Sequence, residues 1–342
     1  MRRASKPWHP KTICKFGADM VRLIAIFVGV SVLSIGAHAV DVGDPIVNAI
    51  KESTQDNTKL ASCLLLSQAG KQSKVDPAIK KKAIELVTQR LKNNELSMLR
   101  ARGDVARKGL YGYEQNEGLA YRMYAKATKS VEAGWNGALM LYKRSPDGIT
   151  ANDAKQILDL LHKSGAAMPN SRGVVGSYAH YLAGLLSEAG SATGKPDLKK
   201  AFIHYRTSAR NSYVPGAFHY MRLLVQSMTK LPDTERAIVM QEMRMMINRW
   251  KWQSPEIMFL AGDIYSAKWF PDENGFMAQY HWRMAQKMGG TREIADFDGA
   301  IRSRVHKMSP ELEKRLDDAV EAGVKNTNVV KHELEYVDLC AE

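Results

Sequence analysis

Three segments of the chain repeat one arrangement of small and aromatic residues. They are EQNEGLAYRMYAKATKS at 114–130, KPDLKKAFIHYRTSARN at 195–211, and YSAKWFPDENGFMAQYHWRMAQKMGG at 265–290. Each contains a polar turn, an alanine, an aromatic residue four positions later and a small residue seven positions after the alanine. Because such positions share one face of an α-helix, each segment predicts a helix that packs through this stripe. The pairs are Ala120 and Tyr124, Ala201 and Tyr205, and Ala278 and Trp282.

A glycine precedes each of these alanines at nearly one distance. Gly103 and Gly184 lie 17 residues before their alanines, and Gly262 lies 16 residues before its own. A glycine inside a helix allows a neighbouring helix to approach closely. The combined pattern predicts a hairpin, in which a first helix carries the glycine and a second helix carries the aromatic residue.

Weaker copies of the pattern occupy the intervals between the clear ones. They centre on Ala83, on Ala154 with Leu158 in the aromatic position, and on Ala237, which is followed four residues later by Gln241. Successive alanines then lie 34 to 47 residues apart, and a period of this size indicates a helical solenoid. The predicted fold is all-α, with a solenoid of about six hairpins over residues 59–300.

Two flanking segments complete the predicted organisation. Residues 40–58 form a lead-in, and residues 301–342 form a C-terminal capping helix and tail. In SPELEKRLDDAVEAG, Ser309 predicts a cap, Pro310 the first helical position, and Gly323 the end of the helix. Its single apolar stripe suits a terminal helix that covers the last hairpin of a stack.

The three clear segments resemble Sel-one-like repeats, which are relatives of the tetratricopeptide repeat. The resemblance rests on GLYGYEQNEGLAYRMYAKATKS, LAGLLSEAGSATGKPDLKKAFIHYRTSAR and LAGDIYSAKWFPDENGFMAQYHWRMAQK, which cover about half of the chain. It implies a superhelix that acts as a non-enzymatic scaffold for other envelope proteins, with exopolysaccharide export favoured among the pathways. Secretion or conjugation machinery is the next alternative. An envelope enzyme or enzyme inhibitor that acts on glycans is the alternative from a different class.

The first 39 residues predict an export signal. Basic residues from Arg2 to Arg22 precede an apolar run from Leu23 to Ile35, and Ala37-His38-Ala39 matches the small-x-small cleavage pattern. The apolar run is shorter than the ~20 residues of a comfortable membrane span. We therefore expect a periplasmic protein of a Gram-negative bacterium that begins at Val40 and has no transmembrane segment after cleavage. Met20 is an alternative start of translation.

The charge balance permits several partners but does not select one. The formal net charge is +13, and residues 1–39 carry six Lys or Arg and one Asp, so +8 remains for the rest. An excess of this size is compatible with acidic partners, lipid surfaces or anionic polysaccharide, but a solvated helix face is the more ordinary explanation. The periplasm argues against nucleic acid. The sequence lacks His-Glu-x-x-His, nucleophile-elbow and phosphate-loop patterns, so it predicts no catalytic residue and no cofactor.

No set of residues predicts a metal site. The turn Asp272-Glu273-Asn274-Gly275 is no calcium loop, because the twelfth residue from Asp272 is Arg283. His204 and His281 share one repeat position, which the repeat template explains. Methionines at 240, 243, 245 and 246 are soft ligands, but in a helix they more often fill gaps in the core.

Two cysteines follow the predicted signal, Cys63 and Cys340, and they lie near opposite ends of the chain. A disulfide requires Cα atoms within about 7 Å of each other. A stack of six hairpins would separate its ends by far more. The periplasm favours pairing, so either the C-terminal tail folds back to Cys63 or the two cysteines remain apart.

The run Arg249-Trp250-Lys251-Trp252 predicts a contact surface for a partner. Consecutive helical positions point in different directions, so both indoles cannot enter one core stripe. An exposed Trp beside Arg and Lys is typical of energetic hot spots in interfaces. The alternative is that Trp250 packs between repeats while Trp252 covers the hinge to the next hairpin.

Overall fold

The computed structural model describes residues 55–145, 148–270, 274–289, 294, 296–330 and 332–340, with backbone alone for residues 55–60. The predicted signal, most of the predicted lead-in and the turn residues 271–273 lie outside this range. The described residues form fourteen α-helices and no strand. The helices are α1 (Gln55–Ala69), α2 (Pro77–Lys92), α3 (Leu96–Lys108), α4 (Glu117–Lys126), α5 (Val131–Lys143), α6 (Ala151–Lys163), α7 (Gly173–Ala189), α8 (Leu198–Arg210), α9 (Val214–Ser227), α10 (Asp233–Trp250), α11 (Pro255–Tyr265), α12 (Gly275–Met288), α13 (Phe297–Arg302) and α14 (Pro310–Val324).

The first twelve helices pair in chain order as six hairpins, from α1 with α2 to α11 with α12. Each aligned alanine lies on the second helix of its hairpin, as the 34-to-47-residue period requires. The prediction of an all-α helical-repeat fold is therefore confirmed. The first hairpin begins at Gln55, a few residues before the predicted boundary at residue 59.

Polar caps fix where the second helices of the clear hairpins begin. The side chains of Asn116, Asp197 and Asn274 accept hydrogen bonds from backbone N–H groups three residues on, at 2.8, 3.0 and 3.1 Å. An Asn or Asp at this position satisfies an N–H group that has no partner within the helix. These caps are the polar turns of the repeat pattern, so the turn and the helix start have one physical cause.

Close helix crossing in the clear hairpins depends on the repeat glycines. A Cβ atom at Gly103 would lie 2.5 Å from the ring of Tyr124, and a Cβ atom at Gly184 would lie 2.5 Å from the ring of Tyr205. A Cβ atom at Gly262 would lie 2.4 Å from the indole of Trp282. The aromatic ring of the second helix thus occupies the space that a side chain on the first helix would need.

Each of these rings also donates a hydrogen bond to a carboxylate on the first helix, which the sequence pattern did not include. Because a buried hydroxyl or indole N–H without a partner is costly, the acid is part of the packing unit. The pairs are Tyr124 to Asp104 at 2.6 Å, Tyr205 to Glu188 at 2.8 Å, and Trp282 to Asp263 at 3.0 Å.

The acids of the fourth and sixth hairpins have cationic partners as well. Glu188 pairs with Arg222 and lies 3.7 Å from His219, and Asp263 pairs with Arg304 at 2.6 Å. Hydrogen bonding with His219, then with Arg222 and Tyr205, lowers the pKa of Glu188 to about 2, although its partial burial acts in the opposite direction.

The fifth hairpin departs from the predicted register. Ala237 is exposed, whereas Met243, Met246, Ile247 and Trp250 are buried. The first half of α10 contains no buried residue, and its Ile238 is exposed, so the helix is held mainly through its second half. Ala237 is therefore not a packing residue, and the prediction made for it is wrong. Met245 is also exposed, so only part of the methionine group fills the core.

Beyond the sixth hairpin, α14 packs against α12. Leu316 and Val320 are buried in the last core cluster, and Gly323 lies against Tyr280 and Met284 of α12. The helix begins after Ser309, with Pro310 in its first turn, and ends at Val324. It covers the apolar side of α12 that the end of the array would otherwise expose to water.

Candidate functional site

Residues 325–330 and 332–340 follow α14 as a non-helical tail, which passes back along the hairpins in reverse order. The N–H groups of Asn328 and Val330 donate to backbone carbonyls just before α11. The ring of His332 packs on Tyr213, which directly precedes α9. Farther on, the tail contacts α5, then α3, and ends at Cys63 of α1. The tail therefore lies along the first helices of the hairpins.

Asn136 on α5 binds both main-chain polar groups of Val337. Its side-chain oxygen accepts from the Val337 N–H at 2.9 Å, and its amide nitrogen donates to the Val337 carbonyl at 3.0 Å. Arg100 donates to the same carbonyl at 3.1 Å, and the indole of Trp135 donates to the carbonyl of Glu335 at 2.8 Å. This part of the tail is thus recognised through its backbone.

Asp104 on α3 binds the end of the tail. One of its oxygens accepts from Tyr124, and the other accepts from the N–H groups of Leu339 at 2.6 Å and Cys340 at 3.2 Å. Burial raises the pKa of the Asp104 carboxyl, although these hydrogen bonds act in the opposite direction. In the fourth and sixth hairpins a cation neutralises the equivalent acid. In the second hairpin the tail backbone takes that place.

Side chains of the tail fit specific neighbours. The ring of Tyr336 lies 4.0 Å from the guanidinium carbon of Arg107 and 5.0 Å from the ammonium group of Lys143, within the range of cation–π attraction. Asp338 forms ion pairs with Arg107 and with Lys108. The positive charge at this end of α3 therefore selects an aromatic residue followed closely by an acid.

A row of aromatic rings lies along the same side of the array. Trp135 packs on Tyr178 with ring centroids 5.6 Å apart, and Tyr178 packs on Tyr213 at 4.9 Å. Leu334 of the tail contacts the two core clusters to which these rings belong. The row joins hairpins three, four and five and gives the tail an apolar surface.

Cys63 and Cys340 form a disulfide, with Cα atoms 5.5 Å apart. Both residues are buried, and the bond joins the first helix of the array to the last described residue of the tail. The tail folds back, which is the alternative that permits pairing. We call the surface formed by Arg100, Asp104, Arg107, Trp135 and Asn136 the tail site.

The predicted partner surface at 249–252 is divided by the structure. Trp250 is buried in the fifth hairpin, with Arg249 4.8 Å from its ring. Trp252 is half-buried against the last core cluster, lies 5.2 Å from the ammonium group of Lys251, and accepts the N–H of Asn328 on its carbonyl. Of these two indoles, that of Trp252 alone is partly open to solvent.

The two aligned histidines are not brought together. His204 lies 2.9 Å from the ring nitrogen of His180, and His281 stacks on Tyr265 within the last hairpin. Burial, followed by the nearby His180, lowers the pKa of His204 to about 4, and burial lowers that of His281 to about 3. Both are thus neutral at neutral pH. The described residues contain no group of three metal-ligating side chains, and none of their helices is long and apolar enough to cross a membrane.

The tail site itself was missed by sequence reasoning. Trp135 and Asn136 come from α5, which carries no repeat motif, and Asn136 lies 201 residues from its partner Val337. The tail does contain a signal: His332, Leu334 and Tyr336 are partly buried while Glu333 and Glu335 are exposed. This alternation is typical of an extended chain bound on one side.

Comparison with known proteins adds little to this description. No family model and no curated protein matches the chain. Among solved structures, a protective antigen of uropathogenic Escherichia coli strains, described as displaying an SLR fold, is similar over 83% of this chain and 79% of the antigen, with 13% identity and a TM-score of 0.26. A TM-score of that size carries no weight for function. The contacts within this chain define it as an all-α helical-repeat protein.

Proposed function

We propose that the protein is a non-enzymatic scaffold that holds other proteins on its repeat surface. One observation carries this proposal: the first-helix side of the array binds an extended polypeptide, its own tail, through buried polar side chains. Surfaces that recognise a backbone in extended form are suited to binding segments of other proteins. The resemblance of the repeats to the Sel-one-like family supports the same function.

We place this scaffold in the periplasm of a Gram-negative bacterium, on the evidence of the sequence pattern of residues 1–39. The buried disulfide agrees with an oxidising compartment. Exopolysaccharide export is the pathway that we favour, and secretion or conjugation machinery is the alternative. The genes beside this one would separate these pathways at little cost.

Site-specific crosslinking in the native envelope tests the scaffold function. A photo-crosslinking residue would replace Glu335, which is exposed on the tail, and in a matched protein Lys155, which is exposed on α6, the second helix of hairpin three. We expect one envelope protein to be captured from position 335 and to be recovered again when that partner carries the tag. Failure to recover any partner from either position would contradict the proposal.

A further inference from the structure

The contacts that hold the tail are of a kind that a second polypeptide could make. The tail site makes seven hydrogen bonds to the tail, and six of them go to its main chain. The seventh joins Arg107 to the carboxylate of Asp338. A main-chain contact does not depend on which protein supplies the strand. Backbone bonds of this kind provide affinity, and the side-chain positions between them provide specificity.

The polar groups of the tail site require a strand in order to be satisfied. Asn136 and Asp104 have no exposed area when the tail is bound, and Arg100 is 6% exposed. A buried amide or carboxylate that loses its partners is strongly unfavourable. The site is therefore arranged in advance for an extended chain, which reduces the cost of binding one.

The part of the tail that precedes the tail site is held loosely. Asn328, Val329 and Val330 are exposed, and the N–H groups of Asn328 and Val330 bond only to backbone carbonyls. The disulfide fixes the far end, and α14 fixes the near end. The segment between these two points can lift from the array while both ends remain attached, so its exchange does not require cleavage of the buried disulfide.

From these contacts, and on the basis of the proposed function, we infer that the tail is a tethered competitor for a segment of a partner protein. That segment is extended and carries an aromatic, an apolar and an acidic residue in succession. The aromatic residue would occupy the position of Tyr336 beside Arg107 and Lys143. The acidic residue would occupy the position of Asp338 beside Arg107 and Lys108. Asn136 would thus recognise the backbone of the partner segment, and Arg107 and Lys108 of α3 would recognise its acidic residue.

Release of the tail in the full-length protein tests this inference. Val337→Pro removes the N–H that Asn136 accepts, and Cys340→Ala removes the covalent anchor, so the double variant keeps an intact tail site with the tail unseated. The probe is a fluorescein-labelled peptide, HELEYVDLS, which corresponds to residues 332–340 with serine in place of the last cysteine. Fluorescence anisotropy measures its Kd.

We expect the double variant to bind the peptide at least about tenfold more tightly than the oxidised wild-type protein does. The reason is that a tethered competitor acts at an effective concentration on the order of millimolar. Adding Asn136→Ala to the double variant should weaken binding by at least about tenfold, because two hydrogen bonds are lost. The matched change Asn248→Ala, at an exposed Asn on α10, should leave the Kd unchanged.

A peptide with lysine in place of its aspartate provides the charge control, and it should bind weakly because Arg107 and Lys108 repel it. Equal binding of both peptides, or no gain in a double variant that still melts cooperatively, would overturn the inference. If the double variant does not melt cooperatively, Asp338→Lys in the full chain serves instead, since it weakens the tail without altering the site. If the protein forms a dimer and the peptide dissociates it, the inference is also overturned, because the tail of a second copy would then be the strand that occupies the tail site.

The two proposals fail in different ways. Partners recovered by crosslinking, together with a peptide that does not bind, would leave the scaffold function standing and remove the competitor role of the tail. A peptide that binds as expected, together with no partner in the envelope, would show that the tail site accepts a second strand but would remove the scaffold function.

Discussion

Replacing Cys340 with alanine removes the covalent link between the tail and the first hairpin. The two cysteines are 277 residues apart in sequence, so the disulfide constrains almost all of the described chain when it unfolds. The loop-entropy model gives about 5.6 kcal/mol for a loop of that size, and measured losses are generally about 2–5 kcal/mol. We therefore expect the free energy of unfolding to fall by about 3–5 kcal/mol.

Urea unfolding followed by circular dichroism measures this loss. Alanine is the chosen replacement because both sites are buried and a serine hydroxyl there would add its own cost. The matched proteins are Cys63→Ala, which removes the same bond from the other side, and the double variant. Two residues that act only through one bond are not additive, so all three variants should lose the same stability.

Two results would refute this reasoning. An unchanged urea midpoint for both single variants would mean that the bond does not constrain the unfolded chain or does not form. A double variant that loses the sum of the two single losses would mean that each cysteine stabilises the protein by its own packing.

Three further perturbations test the packing, the electrostatics and the predicted contact surface. Gly184→Leu should cost about 1–3 kcal/mol of stability by overpacking against the ring that crosses it, while Gly275→Leu, where no atom lies within 4 Å of the added Cβ, should cost far less; equal thermal melts would contradict this. Hydrogen bonding, chiefly with His219, lowers the pKa of Glu188 from 4.5 to about 2. The Glu188 carboxylate therefore stabilises the fold fully above pH 4.5, and this stabilisation is lost as the pH falls towards 2. Melting temperatures of Glu188→Gln should therefore fall less steeply than those of the wild type across that window, and parallel curves would refute it. Trp252→Ala should lower the melting temperature, since the indole packs on the last core cluster, and lost partner capture with an unchanged melt would instead identify a binding site.

Local patterns were enough to predict the hairpins. The alanine and the aromatic residue of each clear second helix lie four residues apart, and the capping Asn or Asp stands a few residues before them. The acids that bind the aromatic rings were also open to prediction, because Asp104 and Asp263 directly follow the repeat glycines. Ala237 was misassigned since the alignment of a degenerate repeat rested on one small residue.

The path of the tail could not be predicted from such patterns. Its contacts join residues more than 200 positions apart, and Asn136 resembles any other polar residue of a helix. Sequence reasoning identified the condition for pairing of Cys63 with Cys340, a tail that folds back, but it had no means of tracing that path. The exposed Glu333 and Glu335 alternate with partly buried neighbours, and this period of two indicates an extended chain, whereas the repeat pattern has the period of a helix.

Hydrogen exchange of the tail amides tests the central claim most directly. In the oxidised wild-type protein the N–H groups of Val337, Leu339 and Cys340 are bonded to Asn136 and Asp104, so peptides covering 332–340 should take up deuterium slowly. Asn136→Ala should speed uptake in this segment and leave the hairpin helices unchanged. Uptake in the wild-type tail as fast as in the free peptide would show that the tail is not bound to the repeats, and would contradict the account.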